Sequence, residues 1–178
     1  SFRDYYSDDS YLFMKSTHWL YHSYFKTLTI GNNVQEVGAY AFCDLTSLKS
    51  VTLGDNIVYI DDYTFAKCYN LEEIFVGIKV ETIDSDAFVD SNKYIKFKIK
   101  DLSSWCGIGC PDNTYNNNYY RLYYNGQLLT NVEIPYGVNY VSSCAFSGWD
   151  QIESIMVPES VTKWDKGAFN FSGDNFVG

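Results

Sequence analysis

Apolar residues in this chain recur every 23 positions, and that period constrains the fold more than any other feature. Val34, Ile57 and Val80 share one phase, Val37, Ile60 and Ile83 a second, and Phe42, Phe65 and Phe88 a third. Leu48 returns as Leu71, and the pair Val51/Leu53 returns as Ile74/Val76 and Phe97/Ile99. A fixed period of roughly 20–50 residues marks a solenoid, whose units bury their apolar side only against one another.

Each part of the unit has a physical task. Leu48-x-x-Val51-x-Leu53 alternates as a half-buried strand does. It predicts parallel strands over Thr27–Ile30, Ser50–Leu53, Glu73–Val76 and Lys96–Ile99, stacked about 4.8 Å apart. Turn residues follow in phase: Gly31-Asn32-Asn33, Gly54-Asp55-Asn56, Gly77-Ile78-Lys79, Pro135-Tyr136-Gly137 and Pro158-Glu159-Ser160. The return path is too short for long helices, so extended chain, turns and one-turn helices are expected there. It leads to a Phe that usually follows Ala, as in Ala41-Phe42, Ala87-Phe88, Ala145-Phe146 and Ala168-Phe169. A small residue beside a large one lets aromatic rings stack up the solenoid. Phe42, Phe65, Phe88, Phe146 and Phe169 are expected to form one buried column.

The strand portion fits the leucine-rich-repeat pattern L-x-x-L-x-L. With its I-x-x-I-x-x-x-A-F return, the unit resembles the BspA-type leucine-rich repeat, close to the Treponema-type class, from about Phe25 to Phe169. The resemblance implies an α/β, right-handed leucine-rich-repeat solenoid. Its parallel sheet would lie on the concave face, with short, mostly irregular or one-turn helical segments on the convex side. It also implies a non-enzymatic role at the cell surface or outside the cell, in adhesion and binding of a host or matrix protein.

The period organises residues 1–178 as one domain. Residues 1–24 form a degenerate N-terminal unit in which Tyr11, Met14 and Trp19 keep the apolar phases. Residues 25–99 are regular repeats, 100–131 an insertion, and 132–178 regular repeats and the C-terminal end. Phe88 and Phe146 lie 58 residues apart, so one unit is 12 residues longer than its neighbours. The long unit contains Asp101-Leu102-Ser103-Ser104-Trp105-Cys106, in which Asp101 is a suitable N-cap for a short helix. Asn125-Gly126 between Tyr119–Tyr124 and Gln127–Leu129 predicts a hairpin. D-L-x-x-W-C and L-Y-x-N-G segments of this kind occur in BspA-type proteins as an interrupting unit. The insertion is expected to leave the stack and return, with Ile99 and Ile134 on adjacent strands and Trp105 plugging the stack beneath outward tyrosines.

Composition narrows the function. Hydrophobic residues make up 46 % of the chain, enough for a core. The net charge of −9 argues against nucleic acid and anionic membranes, which attract clustered Lys and Arg. No apolar run reaches the roughly 18 residues of a membrane span, so no membrane insertion is expected. No signal peptide is visible, and the chain starts within a degenerate unit, as a mature fragment would. Cys43, Cys68 and Cys144 lie in separate repeats and are expected to be buried free thiols. Cys106-x-x-x-Cys110 has the look of a redox or metal pair, but without a second pair it suits packing or a local disulfide better.

No catalytic constellation assembles. P-loop, G-x-S-x-G and G-x-G-x-x-G motifs are absent from the sequence. His18 and His22 have a helical metal-pair spacing without a third ligand, so neither a metal nor a cofactor is expected. Asp61-Asp62 suits a solvated return path, and Asn170-Phe171-Ser172 is a lone glycosylation sequon.

Surface remains as the functional element. Outward strand positions place Thr27, Thr29, Ser50, Thr52, Glu73, Phe75, Lys96, Lys98, Glu133, Ser154 and Met156 on the concave face. Of these, Thr29, Thr52, Glu73, Phe75, Lys96, Lys98, Glu133 and Met156 are candidate ligand contacts. Phe75 either anchors a partner or packs across neighbouring strands. The insertion, with Trp105, Tyr115, Tyr119, Tyr120, Tyr123 and Tyr124, is a second candidate surface, and Tyr120 and Tyr124 are its expected contacts. Those aromatics either meet a partner or fill the gap opened by the insertion. A protein partner is expected through either surface. A carbohydrate-binding module using the insertion aromatics, or a structural spacer in a longer surface protein, are the competing readings.

Overall fold

The computed structural model describes residues 24–109 and 120–169. The degenerate first unit up to residue 23, with His18 and His22, lies outside those residues. So do Cys110, Tyr115, Tyr119, the sequon and the tail.

Successive units coil into two walls. Strands β1 (Thr27–Thr29), β3 (Ser50–Thr52), β5 (Glu73–Val76), β7 (Lys96–Ile99), β8 (Arg121–Tyr124) and β9 (Gln127–Leu128) form one six-stranded sheet in that order. The first four pairings are parallel, and β8/β9 is antiparallel. Opposite them, β2 (Glu36–Val37), β4 (Tyr59–Ile60) and β6 (Thr82–Ile83) form a parallel ladder. The return path is therefore a second narrow sheet through this part of the chain. Among the described residues, helices are confined to two short pieces, α1 (Leu102–Cys106) and α2 (Ser143–Phe146), each started by an N-cap side chain, Asp101 and Ser142. The C-terminal units add two parallel pairs. One joins β10 (Asn131–Glu133) to β12 (Ser154–Met156), the other β11 (Tyr140–Val141) to β13 (Lys163–Trp164).

Period-2 alternation fixes what each strand buries. Leu28, Val51, Ile74, Phe97 and Leu122 stand in register and point between the walls. Ile57, Ile60 and Ile83 meet them from the return side, fully buried. The backbone is joined from coil to coil: Phe42 N–H donates to the Thr64 carbonyl (2.9 Å) and Phe65 N–H to that of Ala87 (2.8 Å). Asp44, Lys67 and Asp90 repeat a left-handed backbone (φ 61°, 57° and 57°) two residues after each Phe. That conformation aims the N–H of Asp44 at Ala66 and that of Lys67 at Val89, so the cost of an L residue in this region recurs with the period. Gly54 and Gly77 are required by close stacking, because a Cβ on Gly54 would lie 2.6 Å from the Gly31 carbonyl oxygen.

The aromatic column is shorter than the spacing predicts. Phe42 stacks on Phe65 at 5.6 Å and Phe65 on Phe88 at 5.5 Å. Phe88 then meets Phe97 and Tyr120 edge-on. No ring contact joins Phe88 to Phe146 among the described residues, and Phe169 packs against Trp164 instead. Phe146 is fully buried, Phe169 only partly.

The long unit departs most from expectation. Ile99 pairs with Tyr124, not with a neighbour at Ile134. The segment before Asn125-Gly126 is thus the next rung of the main sheet, with Leu122 following Phe97 after 25 residues. The hairpin exists, Tyr124 facing Gln127 and Tyr123 facing Leu128, but it grows from the sheet rather than beside it. On the return side, α1 runs into Gly109, which pairs with Thr82 and receives the Ile83 N–H at 3.0 Å. Ser142 N–H then donates to the Cys106 carbonyl (2.8 Å), linking this coil to the C-terminal units. Trp105 is buried, and its indole N–H donates to the Ala145 carbonyl at 2.8 Å.

The thiols divide differently from the sequence expectation. Cys43, Cys68 and Cys106 are free. Cys144 is disulfide-bonded, which corrects the expectation of a free thiol there. No helix among the described residues is long and apolar enough to cross a membrane.

Candidate functional site

The main sheet locks its outward side chains into two columns. Thr27, Ser50, Glu73, Lys96 and Arg121 form one, and Thr29, Thr52, Phe75, Lys98 and Tyr123 the other. Six of the eight candidate strand residues therefore fall on a single surface. Glu133 and Met156 face each other in register on the separate β10/β12 pair. Met156 is 65 % exposed, an apolar side chain left to solvent.

Phe75 sits at the centre of the second column, half-buried among polar neighbours. The Lys98 ammonium lies 4.6 Å from the centre of its ring and 2.6 Å from the Glu73 carboxylate. The Lys98 hydrogen bond, joined by the Ser50 hydroxyl and the Lys96 charge, holds the Glu73 carboxyl below its usual range. Phe75 thus packs across the sheet on Lys98, and part of its ring stays exposed.

The insertion tyrosines are placed differently from expectation. Tyr120 is 6 % exposed, with its ring 5.2 Å from Phe97, so it belongs to the core and not to an outward surface. Tyr124 shares the inward phase of Ile99 and packs partly buried against the core. The reason is register: once Leu122 aligns with Phe97, alternation turns Arg121 and Tyr123 outward instead. Those two complete the columns. The signal that would have found them is Leu122 as a strand residue 25 positions after Phe97.

The opposite wall carries acidic groups rather than a ligand set. Asp62 shares a hydrogen bond with Asp84, and this, with burial and the charges of Asp84, Asp61 and Asp86, raises its carboxyl to about 7. Tyr40 and Tyr63 stack beside it at 4.7 Å. No group of three His, Cys, Asp or Glu side chains among the described residues could hold a metal ion. Burial pushes the thiols of Cys43, Cys68 and Cys106 up, to about 11, 12 and 12, which keeps them protonated and poorly nucleophilic. The site can bind through shape, charge and one apolar anchor.

Comparison with known proteins agrees with the repeat architecture. No curated protein matches the chain. Among solved structures, a leucine-rich repeat protein from Bacteroides ovatus is similar at 19 % identity and a TM-score of 0.44, over 79 % of this chain and 39 % of that one. A leucine rich cell surface protein from Faecalibacterium prausnitzii is similar at 17 % identity and a TM-score of 0.31, over 85 % and 60 %. The chain thus spans less than two thirds of either. The BspA type leucine rich repeat region matches residues 15–119 and 116–175 in six copies. With that coverage, the chain belongs to the BspA type leucine-rich repeat family.

Proposed function

We propose that this chain is a non-enzymatic binding module of a cell-surface or secreted protein, recognising a host or matrix protein in the manner of an adhesin. The observation that carries this reading is the pair of outward columns on the main sheet, with Phe75 at their centre. A half-buried aromatic framed by charged and hydroxyl groups is the composition of a contact hot spot. Family membership supports a binding role by analogy with other leucine-rich repeats. The surface location follows the same analogy.

The test uses purified protein and two arrays, one of immobilised extracellular matrix proteins and one of glycans. A protein hit lost in both Phe75→Ser and Tyr123→Ser, with melting unchanged, is the expected result. Glycan hits alone would favour a carbohydrate-binding module, and no hit on either array would favour a structural spacer.

A further inference from the structure

The outward face of the main sheet is electrically lopsided. Its first two strands present only hydroxyls, Thr27, Thr29, Ser50 and Thr52. Its far end presents Lys96, Lys98 and Arg121. Register sets Lys96 directly beside Arg121, and like charges opposite one another on paired strands destabilise a sheet. Among the described residues, neither Lys96 nor Arg121 has a carboxylate within ion-pair distance. Lys98 holds Glu73, and Arg121 directs one N–H to the Tyr120 carbonyl at 3.1 Å. The chain has 22 acidic residues and a net charge of −9, so carboxylates are plentiful elsewhere. On its other side Lys96 lies in register with Glu73, whose carboxyl its charge helps hold down, so the described residues compensate this pair only in part, and an incoming anion would complete the compensation.

We infer that this end of the sheet docks an extended acidic peptide segment of the protein partner. The inference rests on the reading of this face as protein-binding. Carboxylates of the segment lie over Lys96 and Arg121, an apolar side chain covers Phe75 and Tyr123, and polar residues reach the hydroxyl end. From β1 to β8 is four strand steps, about 19 Å at about 4.8 Å each, which roughly six extended residues cross. A uniformly charged polyanion fits less well. Glu73 interrupts the column between the hydroxyls and the cations, and the whole molecule repels a long negative chain.

Fluorescence anisotropy of labelled hexapeptides tests this. One probe carries a Ser-Thr start, a central Leu and an acidic end; its control has Gln and Asn in place of Glu and Asp. Heparin serves as a polyanion. The acidic peptide should bind, weaken with added salt, and lose about tenfold or more in affinity in Lys96→Glu/Arg121→Glu. Lys79→Glu, away from this face, should bind as the parent does. Arg121→Gln, which relieves the repulsion and leaves Lys96 beside Glu73, should melt no lower than the parent and should bind more weakly. No binding of the acidic probe, equal binding of the control peptide, or an Arg121→Gln variant that melts lower would overturn the inference. Preference for heparin through the same two cations would overturn it in favour of a polyanion ligand. If the charge variants keep a matrix-protein hit that Phe75→Ser loses, the acidic-peptide inference fails while the binding-face reading stands. If Phe75→Ser also keeps it, both fail.

Discussion

At the scale of single residues, the solenoid is set by what will stack on itself once per coil. Gly54 and Gly31 occupy the same phase, yet their surroundings differ. A Cβ on Gly54 would press on the Gly31 carbonyl, whereas among the described residues a Cβ on Gly31 meets nothing within 4 Å. Gly54→Ala should therefore cost about 1–3 kcal/mol, the usual penalty of overpacking. Gly31→Ala should stay within about 0.5 kcal/mol of the parent. Urea unfolding of the two variants checks the difference, and equal midpoints would contradict the stacking argument. A second residue-scale consequence lies on the return wall. Folded Asp62 keeps its proton to about 7, against 3.8 for the ordinary carboxyl, chiefly through its hydrogen bond with Asp84. The folded state thus binds more protons across that window. Its contribution to stability is present below the lower value and lost as pH rises through the upper one. Because Asp62 is largely exposed, solvent screens the effect. Asp62→Asn should match the parent near the lower value, begin to gain on it by about pH 5 and melt clearly higher at about pH 8, by thermal scans across that range.

At the scale of elements, the regular strands were legible because burial and period agree. Glu73–Val76 and Lys96–Ile99 appear with the bounds their alternation implies. The short helix after Asp101 also forms, its N-cap oxygen accepting the Ser103 N–H at 2.9 Å. The rung Arg121–Tyr124 was not legible as a rung. Its Leu122 is followed by two tyrosines, the second standing where the other coils have an aliphatic residue (Ile30, Leu53, Val76, Ile99), and the step to it is 25 residues. The Asn125-Gly126 signal next to it pointed to a hairpin, which is local, and said nothing of the parallel neighbour, which is not. Consequently alternation brings six candidate contacts to one face, whereas the hairpin signal alone turns Tyr120 and Tyr124 to the wrong side and misses Arg121 and Tyr123 as contacts. The sides are separable by mutation. Tyr120→Ser should cost about 3–5 kcal/mol, as for other large buried aromatics. Tyr123→Ser should melt close to the parent. If Tyr120→Ser melts normally, the register of β8 with β7 is wrong.

At the scale of the whole molecule, the solenoid has a seam. The main sheet runs from β1 to β9, and β10 with β12 forms a separate pair. Repeat proteins are held by contacts between neighbouring coils, so stability is approximately a sum over interfaces. Across the seam the described contacts are specific, and the Ser142 hydroxyl donates to the Ile108 carbonyl. Trp105 donates to Ala145, Ser142 to Cys106, and the rings of Trp105, Phe97 and Trp149 meet at 5.8–6.4 Å. Trp105 takes part in both kinds of contact. Replacing it by Ala removes the indole donor, opens a cavity beneath Phe97, and should cost about 3–5 kcal/mol. In a quasi-one-dimensional stack that loss should fall on one interface. Hydrogen exchange should therefore quicken at the amides of β10 to β13 while those of β3 to β7 stay protected, because local unfolding follows cooperative units. Phe65→Ala is the control. It weakens the Phe42–Phe65–Phe88 stack by a similar amount on the other side of the seam, so there the protection of β3 to β7 should fall first. Uniform loss in both variants would mean that the seam transmits the full cooperativity of the fold, and that the two sheets unfold as one.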